Sequence, residues 1–282
     1  MSATSHRSRP PTPAPDTDRL ELAKTRQVWG QWAFVLPFAG RALALQTMHP
    51  TVSAGLEQHS TVLEQPWQRA WATIGYGLEI VFGDAERTAR HVRELHRPIT
   101  GTDHAGRRYH AWEREAWRWV HLSTFDATRY AARAVGLGFS RADEEQLYQE
   151  SRATGRLYGV RDRDMPAGLA AYEAYLSGVI AHRLVPTPTS TRLLTRLTEQ
   201  LPPPPWVPVP PLVWKLWQRP AGHLARTALL GSFPATLRRR HGLSWSALDQ
   251  AQYDAVLAGL RAANLTLPSR VRLMPAARRH HG

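Results

Sequence analysis

Hydrophobic residues recur at helical spacing along most of this chain. They fall at every third or fourth position through 66–82, through 112–135 and through 165–180. No series of segments alternates between apolar and polar residues, as half-buried strands would. The segment 100–109 is rich in Gly and Asp and predicts a loop or a short hairpin. The pattern therefore predicts an all-α fold, a single domain of about nine or ten helices.

Local start and stop signals mark several of these helices. Pro66 suits the first turn of a helix because the amide proton that it lacks is not needed there. Asp84 follows a glycine and can cap the next helix, and Ser140 with Asp143 three residues later predicts a capping box. Pro37 is expected to kink or end the first helix.

Three segments fall outside the helical pattern. Residues 1–16 hold many Pro, Ser and Thr and are expected to form a disordered lead. Seven prolines in the ten residues 202–211 exclude a helix or central strand there and predict a proline-rich strap across the body. The basic segment 266–282 is expected to form a frayed tail. The helical domain itself is predicted to span 17–265.

The charge of the chain is large but not localised. The formal net charge is +13, and Lys24 and Lys215 are the only lysines among 36 basic residues. Arginines spread along helices indicate a bias of composition more than a selected patch, so no specific nucleic-acid partner is predicted. Weak association with an anionic membrane surface is compatible with this charge.

Composition also limits the compartment and the chemistry. No apolar run approaches the 18 or so residues of a transmembrane helix, and the N-terminus lacks the apolar core of a secretion signal. A cytoplasmic location is therefore expected. The chain has no cysteine. This excludes disulfides, iron–sulfur clusters, cysteine-based zinc sites and thiolate-ligated haem.

Histidines and tryptophans are concentrated between residues 48 and 121. His49, His59, His96 and His121 each end or sit on an apolar segment. A histidine in such a place can ligate a metal or haem iron, or can be a structural side chain bonded to a backbone carbonyl. His91 and His96 are five apart and face different directions on a helix, and no His-Glu-x-x-His motif is present, so a zinc-protease site is not indicated.

Arg69 and Thr73 share one face of an otherwise apolar helix, since they are four residues apart. A guanidinium in such a setting requires an anionic partner. A haem propionate would serve, and so would Glu57, Glu64 or Glu79. Glu57 is also the best candidate for a catalytic base, with a surface carboxylate as the alternative.

A series of short motifs runs in order along most of the chain. Its members are His49-Pro50 with Gly55 and His59-Ser60, Arg69 with Thr73, His96 with Gly101, Gly106 and Tyr109 with Ala111, Trp119-Val120-His121, and Tyr158-Gly159 with Met165-Pro166 and Tyr172. Their order and spacing resemble those of the haem-dependent oxygenase family that includes rubber oxygenase (latex-clearing protein) and the oxygenase of mycophenolic acid biosynthesis. The resemblance covers about residues 30–245.

This resemblance implies an all-α fold that encloses one b-type haem. His96 corresponds to the family's proximal histidine and is the expected iron ligand, the metal-binding residue of the chain. Arg69 and Thr73 correspond to the family's distal segment, where they would act in catalysis or hold a propionate. Rubber oxygenase carries a lysine in that segment as a distal haem ligand, whereas this chain has Ala72 there.

The same resemblance implies roles for the remaining histidines and the type of reaction. His49, His59 and His121 are expected to line the haem site or to orient its ligands. The chain is expected to be a haem b-dependent oxidoreductase, an oxygenase that uses O₂ on a small apolar substrate of isoprenoid or lipid type. A non-catalytic helical protein that binds haem or lipid is the alternative, and a non-haem metal hydrolase is a further one.

Overall fold

The computed structural model describes residues 20–203 and 209–280, and within these ranges the protein is almost entirely helical. The α-helices are α1 (Ala23–Trp29), α2 (Val35–Thr47), α3 (Pro50–His59), α4 (Pro66–Phe82), α5 (Ala85–His96), α6 (Arg114–Ala134), α7 (Arg141–Leu157), α8 (Leu169–His182), α9 (Pro188–Thr198), α10 (Pro211–Gly231), α11 (Ala235–Arg240), α12 (Ala247–Thr266), α13 (Ser269–Arg272) and α14 (Pro275–His280). The predicted all-α single domain is confirmed.

The only strands in the described ranges form one hairpin. β1 (Thr100–Thr102) pairs in antiparallel register with β2 (Arg108–His110), so that Gly101 lies opposite Tyr109. Asp103 closes the turn, because its carboxylate accepts from the backbone amides of Ala105 and Arg107, each at 2.9 Å. The Gly- and Asp-rich segment 100–109 therefore forms the short hairpin that its composition favoured.

The described ranges contain fourteen α-helices, more than the nine or ten predicted. The difference lies in short elements such as α1, α11, α13 and α14, which have four to seven residues each. One or two turns show too little of a 3.6-residue period to be recognised from the sequence.

Helix α6 lies at the centre of the molecule. Twelve of its 21 residues are buried. One apolar cluster joins it to α1, α2 and α4 through residues such as Trp29, Phe38 and Ile74. A second cluster places Trp119 among α2, α8 and α10, and a third joins Phe125 to α7 and α8. Because α6 contacts core residues on several sides, its side chains reach the middle of the fold.

Two buried ion pairs fix the neighbours of α6. Arg41 on α2 donates to Asp126 at 2.6 Å, and both side chains are buried. Arg129 donates to Glu144 on α7 at 2.6 Å. The pKa of Arg41 is raised: burial alone would lower it, but the charge of Asp126 and its hydrogen bond outweigh burial. These pairs set how α2 and α7 lie against α6, which in turn positions the residues described below.

The predicted helix signals hold with one exception. Ser140 and Asp143 form a capping box, Asp84 caps α5, and Pro66 begins α4. Pro37 neither kinks nor ends a helix: it lies in the first turn of α2. The first amides of a helix have no carbonyl partner within it, so proline costs little there.

The structure describes most of the C-terminal segment and only the edges of the proline-rich segment. The lead at 1–16 and residues 204–208 of the predicted strap lie outside the described residues. At the described edge of that segment, the carbonyl of Pro202 accepts from Trp67 Nε1 at 2.9 Å. In the C-terminal tail, where fraying was expected from Arg270 on, the described residues to His280 form α13 and α14. Met274 there is buried, and its amide donates to Gly30 at 2.8 Å. Met274 and Ala277, apolar residues among the arginines, are buried and hold this segment to the core.

Within the described ranges, no helix has both the length and the apolar character needed to cross a bilayer.

Candidate functional site

A cavity of about 430 Å³ opens between α2, α4, α5 and α6. Its wall is mostly apolar, with Phe38 and Leu43 from α2, Ile74 from α4 and Leu95 from α5. Thr73 and Leu95 are exposed as well as lining it, so the cavity opens to solvent between α4 and α5. A cavity of this size, with few polar groups in an apolar wall, is typical of small-molecule sites (roughly 300–1,000 Å³).

His96 lies on this wall at the last residue of α5. Its Nδ1 is 2.7 Å from the backbone carbonyl of Val92, one turn earlier. A carbonyl oxygen can only accept, so Nδ1 carries the proton and Nε2 keeps its lone pair. The ring of Trp117 meets His96 edge-on, with centroids 5.1 Å apart. The side chain is therefore held in one tautomer with a free nitrogen, the state of a histidine ligand.

The electrostatic setting of His96 favours the same neutral form. Burial lowers the pKa of His96, the hydrogen bond to Val92 raises it in part, and the positive charge of Arg69 lowers it further. The net direction is downward. A neutral imidazole near pH 7 can donate its lone pair to a metal ion.

Arg69 and Thr73 share one face of α4, as their spacing predicted, and both line the cavity. Arg69 Nη1 donates to the Thr73 hydroxyl, which in turn donates to the carbonyl of Arg69 at 3.0 Å. Thr73 thus orients the guanidinium. Burial lowers the pKa of Arg69. No carboxylate pairs with Arg69 among the described residues, so it is a cation available to an anion that enters the cavity.

None of the three glutamates considered as partners of Arg69 forms an ion pair with it in the described ranges. Glu57 instead binds Arg192, His104 at 3.1 Å and Thr189 at 3.2 Å. It also lies outside the cavity wall, which weighs against Glu57 as a base in this site. Neither Glu64 nor Glu79 forms an ion pair in the part of the chain that the structure describes.

Ala72 lines the cavity between Arg69 and Thr73. Its methyl group offers no ligand atom, so this position supplies nothing to an iron ion. That is the clearest departure of the site from the rubber oxygenase pattern.

His121 also faces the cavity, from the middle of α6. Its Nε2 is 2.9 Å from the carbonyl of Ser151, so Nε2 donates and Nδ1 keeps the lone pair. Burial lowers the pKa of His121 to about 4. Gly155 permits this approach, because a Cβ there would lie 2.8 Å from Nε2 of His121. His121 is therefore neutral, and its unprotonated Nδ1 can accept a hydrogen bond beside an apolar space.

His49 and His59 do not reach the cavity wall. His49 precedes α3 at its N-cap position, with its ring 6.5 Å from that of Trp119, and burial lowers its pKa to about 4. His59 Nε2 donates to the carbonyl of Thr100 at 2.9 Å and so ties α3 to β1. The bond of His59 is the structural contact to a backbone carbonyl that a histidine can make instead of binding a metal. The Nδ1 of His49 is buried and has no hydrogen-bond partner among the described residues.

Several lining residues were missed in the sequence. Gln46, Tyr76, Thr124 and Tyr158 supply polar atoms to the wall. Gln46 stands out in the apolar sequence of α2, and Thr124 follows His121 by three residues, so both carried a recoverable signal. Tyr76 comes seven residues after Arg69 and three after Thr73 on α4, so it shares their helix face and also carried a local signal. Tyr158, just after α7, reaches the cavity only through the packing of α7 on α6.

No group of three or more His, Asp or Glu residues in the described ranges is arranged to hold a metal ion by itself. The two histidines of the cavity have no carboxylate beside them. The non-haem hydrolase alternative therefore finds no site in this part of the chain.

A comparison with protein families adds an independent finding. The family model described as "ER-bound oxygenase mpaB/B'/Rubber oxygenase, catalytic domain" matches residues 26–262. No curated protein and no solved structure matches the chain.

Proposed function

Since the chain belongs to the family of ER-bound mpaB and rubber oxygenase catalytic domains, we propose that it is an oxygenase that binds haem b in the cavity between α4, α5 and α6. In this proposal His96 is the iron ligand. The substrate is a small apolar molecule of isoprenoid or lipid type that reacts with O₂. Family membership supports an oxygenase-like activity; haem, substrate and a cytoplasmic location are expectations that go further.

The observation that carries the proposal is the fixed tautomer of His96. Its Nδ1 proton is bound by Val92, and its Nε2 lone pair is free on the wall of a cavity of about 430 Å³. Haem b, when bound, supplies an iron centre that binds and activates O₂. The chain has no cysteine, so a histidine is the natural haem ligand among its residues.

The other polar side chains of the cavity are also suited to a bound haem. Arg69 is a cation with no carboxylate partner in the described ranges, and Thr73 orients it, so it can bind a propionate or a polar atom near the iron. His121 keeps an unprotonated nitrogen and can accept a hydrogen bond from a ligand or water. The wall of the cavity is mostly apolar, which favours an apolar substrate over a charged one.

An absorption spectrum tests the proposal. The protein purified after expression with ample haem supply is expected to show a Soret band that shifts on reduction. His96→Ala is expected to abolish or greatly weaken the band. His182→Ala, at an exposed histidine of α8 that does not line the cavity, is the control and should leave it unchanged. A colourless wild-type protein, or equal bands in both variants, would contradict the proposal.

Oxygen uptake separates an oxygenase from a helical haem or lipid carrier. Consumption of O₂ by the haem-loaded protein with polyprenyl, carotenoid or fatty substrates is expected. A protein that binds haem through His96 but consumes no O₂ with any of them would support the carrier.

A further inference from the structure

The first half of α10 presents large apolar side chains to solvent. Leu212, Leu216 and Trp217 are 77%, 78% and 62% exposed, and Val213 and Leu224 are also exposed. These five account for a large share of the twelve large apolar side chains that stand exposed in the described ranges, and they lie within thirteen residues. Scattered exposed leucines are ordinary, but a concentration on one helix marks an interaction surface.

Helix α10 is amphipathic, but its apolar side faces solvent and not the protein body. Trp214 and Gln218 hold α10 to the body, because both donate to the carbonyl of Leu201, at 3.0 and 3.2 Å. Leu212 and Leu216 lie one turn apart, as do Val213 and Trp217, on the side turned away from the body. The helix therefore lies along the protein with its apolar stripe outward.

The charged side chains of α10 itself are all basic. The sequence of α10 contains no Asp or Glu. Lys215, Arg219 and His223 follow each other at four-residue spacing along one flank of the stripe, and all three are exposed. Lys215 and Arg219 form no ion pair with any described residue. Two basic charges are therefore available to an anionic surface at the edge of an apolar one.

We propose that this surface, the outer face of α10 from Leu212 to Leu224, docks the protein on an anionic lipid membrane. Apolar side chains with Trp and Leu on one face and Lys and Arg at its edge are the features of helices that lie in the plane of a membrane interface. The apolar stripe enters the boundary of the acyl chains, and Lys215 and Arg219 contact lipid phosphates. The formal charge of +13 adds a long-range attraction to the same surface.

Charge argues against a second copy of the chain as the occupant. A symmetric dimer through this face would bring Lys215 and Arg219 of two strongly basic molecules together, with no acidic residue on α10 to offset them. An anionic lipid surface has the complementary charge. This inference does not depend on haem binding, and its test does not use activity.

Co-sedimentation with vesicles tests the proposal on the full chain. Vesicles of equal parts phosphatidylcholine and phosphatidylglycerol are compared with vesicles of phosphatidylcholine alone, at low and high salt. The protein is expected to bind the anionic vesicles more tightly, and less so at high salt. The emission of Trp217 should shift to the blue on binding, so the total tryptophan shift should be smaller in Trp217→Ser.

Two sets of variants separate the apolar and charged contributions. Leu216→Ser with Trp217→Ser should weaken binding to anionic vesicles by at least about tenfold. Lys215→Ala with Arg219→Ala should weaken it by about fivefold for each charge removed, with little change on neutral vesicles. The matched control is Leu248→Ser with Leu265→Ser, exposed leucines of α12, which should bind as the wild type does.

Three outcomes would overturn the proposal. One is no preference for anionic vesicles, and another is an equal loss of binding in the α12 control. The third is a wild-type dimer in sedimentation that Leu216→Ser with Trp217→Ser converts to a monomer, which would assign the face to a second copy. All substituted side chains are exposed, so each variant is expected to fold, and an unchanged circular dichroism melt confirms it.

Discussion

The ring of Trp117 meets the ring of His96 edge-on, with centroids 5.1 Å apart. Trp117 is itself fixed, since its Nε1 donates to the carbonyl of Tyr158 at 2.9 Å. One side of His96 is thus held by α6, and its Nδ1 is held by the carbonyl of Val92. A histidine oriented from two directions keeps its free nitrogen aimed at one place.

Trp117→Leu is therefore expected to weaken haem retention while His96 remains. Loss of a supporting contact to a metal ligand typically lowers affinity by about 10- to 100-fold. The rate of haem transfer to excess apomyoglobin measures it. Trp112→Leu is the matched control, because Trp112 is an exposed tryptophan nearby that packs on His110. Equal transfer rates in the two variants would show that Trp117 does not support the ligand.

Substitution of Arg69 should affect the stability of the haem-free protein and its affinity for haem in opposite directions. A half-buried cation without a partner costs free energy in the empty protein. Arg69→Met is expected to leave the haem-free protein equally stable or about 1 kcal/mol more stable, measured by urea unfolding. The same change should weaken haem binding by about tenfold or more, because the partner of a propionate or polar ligand is lost.

Arg90→Met serves as the control for Arg69→Met. Arg90 is exposed on α5 and pairs with Glu86 at 3.8 Å, so its removal should change neither stability nor haem binding appreciably. A loss of several kcal/mol in haem-free Arg69→Met would instead make Arg69 a structural residue.

These results show which parts of the site a sequence can disclose. Arg69 and Thr73 could be placed together because i, i+4 spacing on a helix is a local property. His49 and His96 gave the same signal, a histidine at the end of an apolar segment, yet only His96 reaches the cavity. Their difference depends on how α3 and α5 pack against α6, and no local pattern encodes that.

The same distinction holds for the fold. Ser140 with Asp143, and Asp84, could be placed from the sequence because a cap involves only neighbouring residues. Pro37 was misjudged because a proline reads alike whether it ends one helix or begins the next. The buried place of Met274 depends on contact with Gly30, more than 200 residues earlier in the chain.

Two buried histidines predict how stability depends on pH. Burial lowers the pKa of both His49 and His121 from about 6.5 to about 4. The unfolded chain therefore binds more protons than the folded one between these values, so the free energy of unfolding falls as the pH drops below about 6.5. From about pH 7 to about pH 5, each histidine should contribute a loss of roughly 2 kcal/mol.

Urea unfolding of the haem-free protein at several pH values measures this slope. His121→Leu should reduce the slope, and His121→Leu with His49→Leu should reduce it further. A remainder is expected, because burial also lowers the pKa of His96 and His241. The comparison uses the slope and not the absolute stability, because each substitution also changes packing. A slope in the double variant equal to that of the wild type would contradict the assignment.

The close approach of Gly155 to His121 gives a steric prediction. A Cβ at Gly155 would lie 2.8 Å from Nε2 of His121 and 2.9 Å from Sδ of Met165. Gly155→Ala should therefore displace His121 and destabilise the protein by about 1–3 kcal/mol. Gly178→Ala in the middle of α8, where a Cβ meets nothing within 4 Å, should instead stabilise it by several tenths of a kcal/mol. Thermal unfolding of the two variants distinguishes the cases, and a stabilised Gly155→Ala would refute the contact.

Ala72 allows the departure from the rubber oxygenase pattern to be reversed. It lines the cavity next to Thr73 and is exposed, so a longer side chain can enter without displacing the core. Ala72→Lys restores the lysine that the resemblance assigns as a distal haem ligand. We expect the absorption spectrum of the haem-loaded variant to differ from that of the wild type, because the lysine amine would offer the iron a further ligand. Gln68→Lys, an exposed position on α4 outside the cavity wall, should leave the spectrum unchanged. Identical spectra for Ala72→Lys and the wild type would mean that the iron does not lie within reach of this part of α4, and that Arg69 and Thr73 contact haem only at its edge.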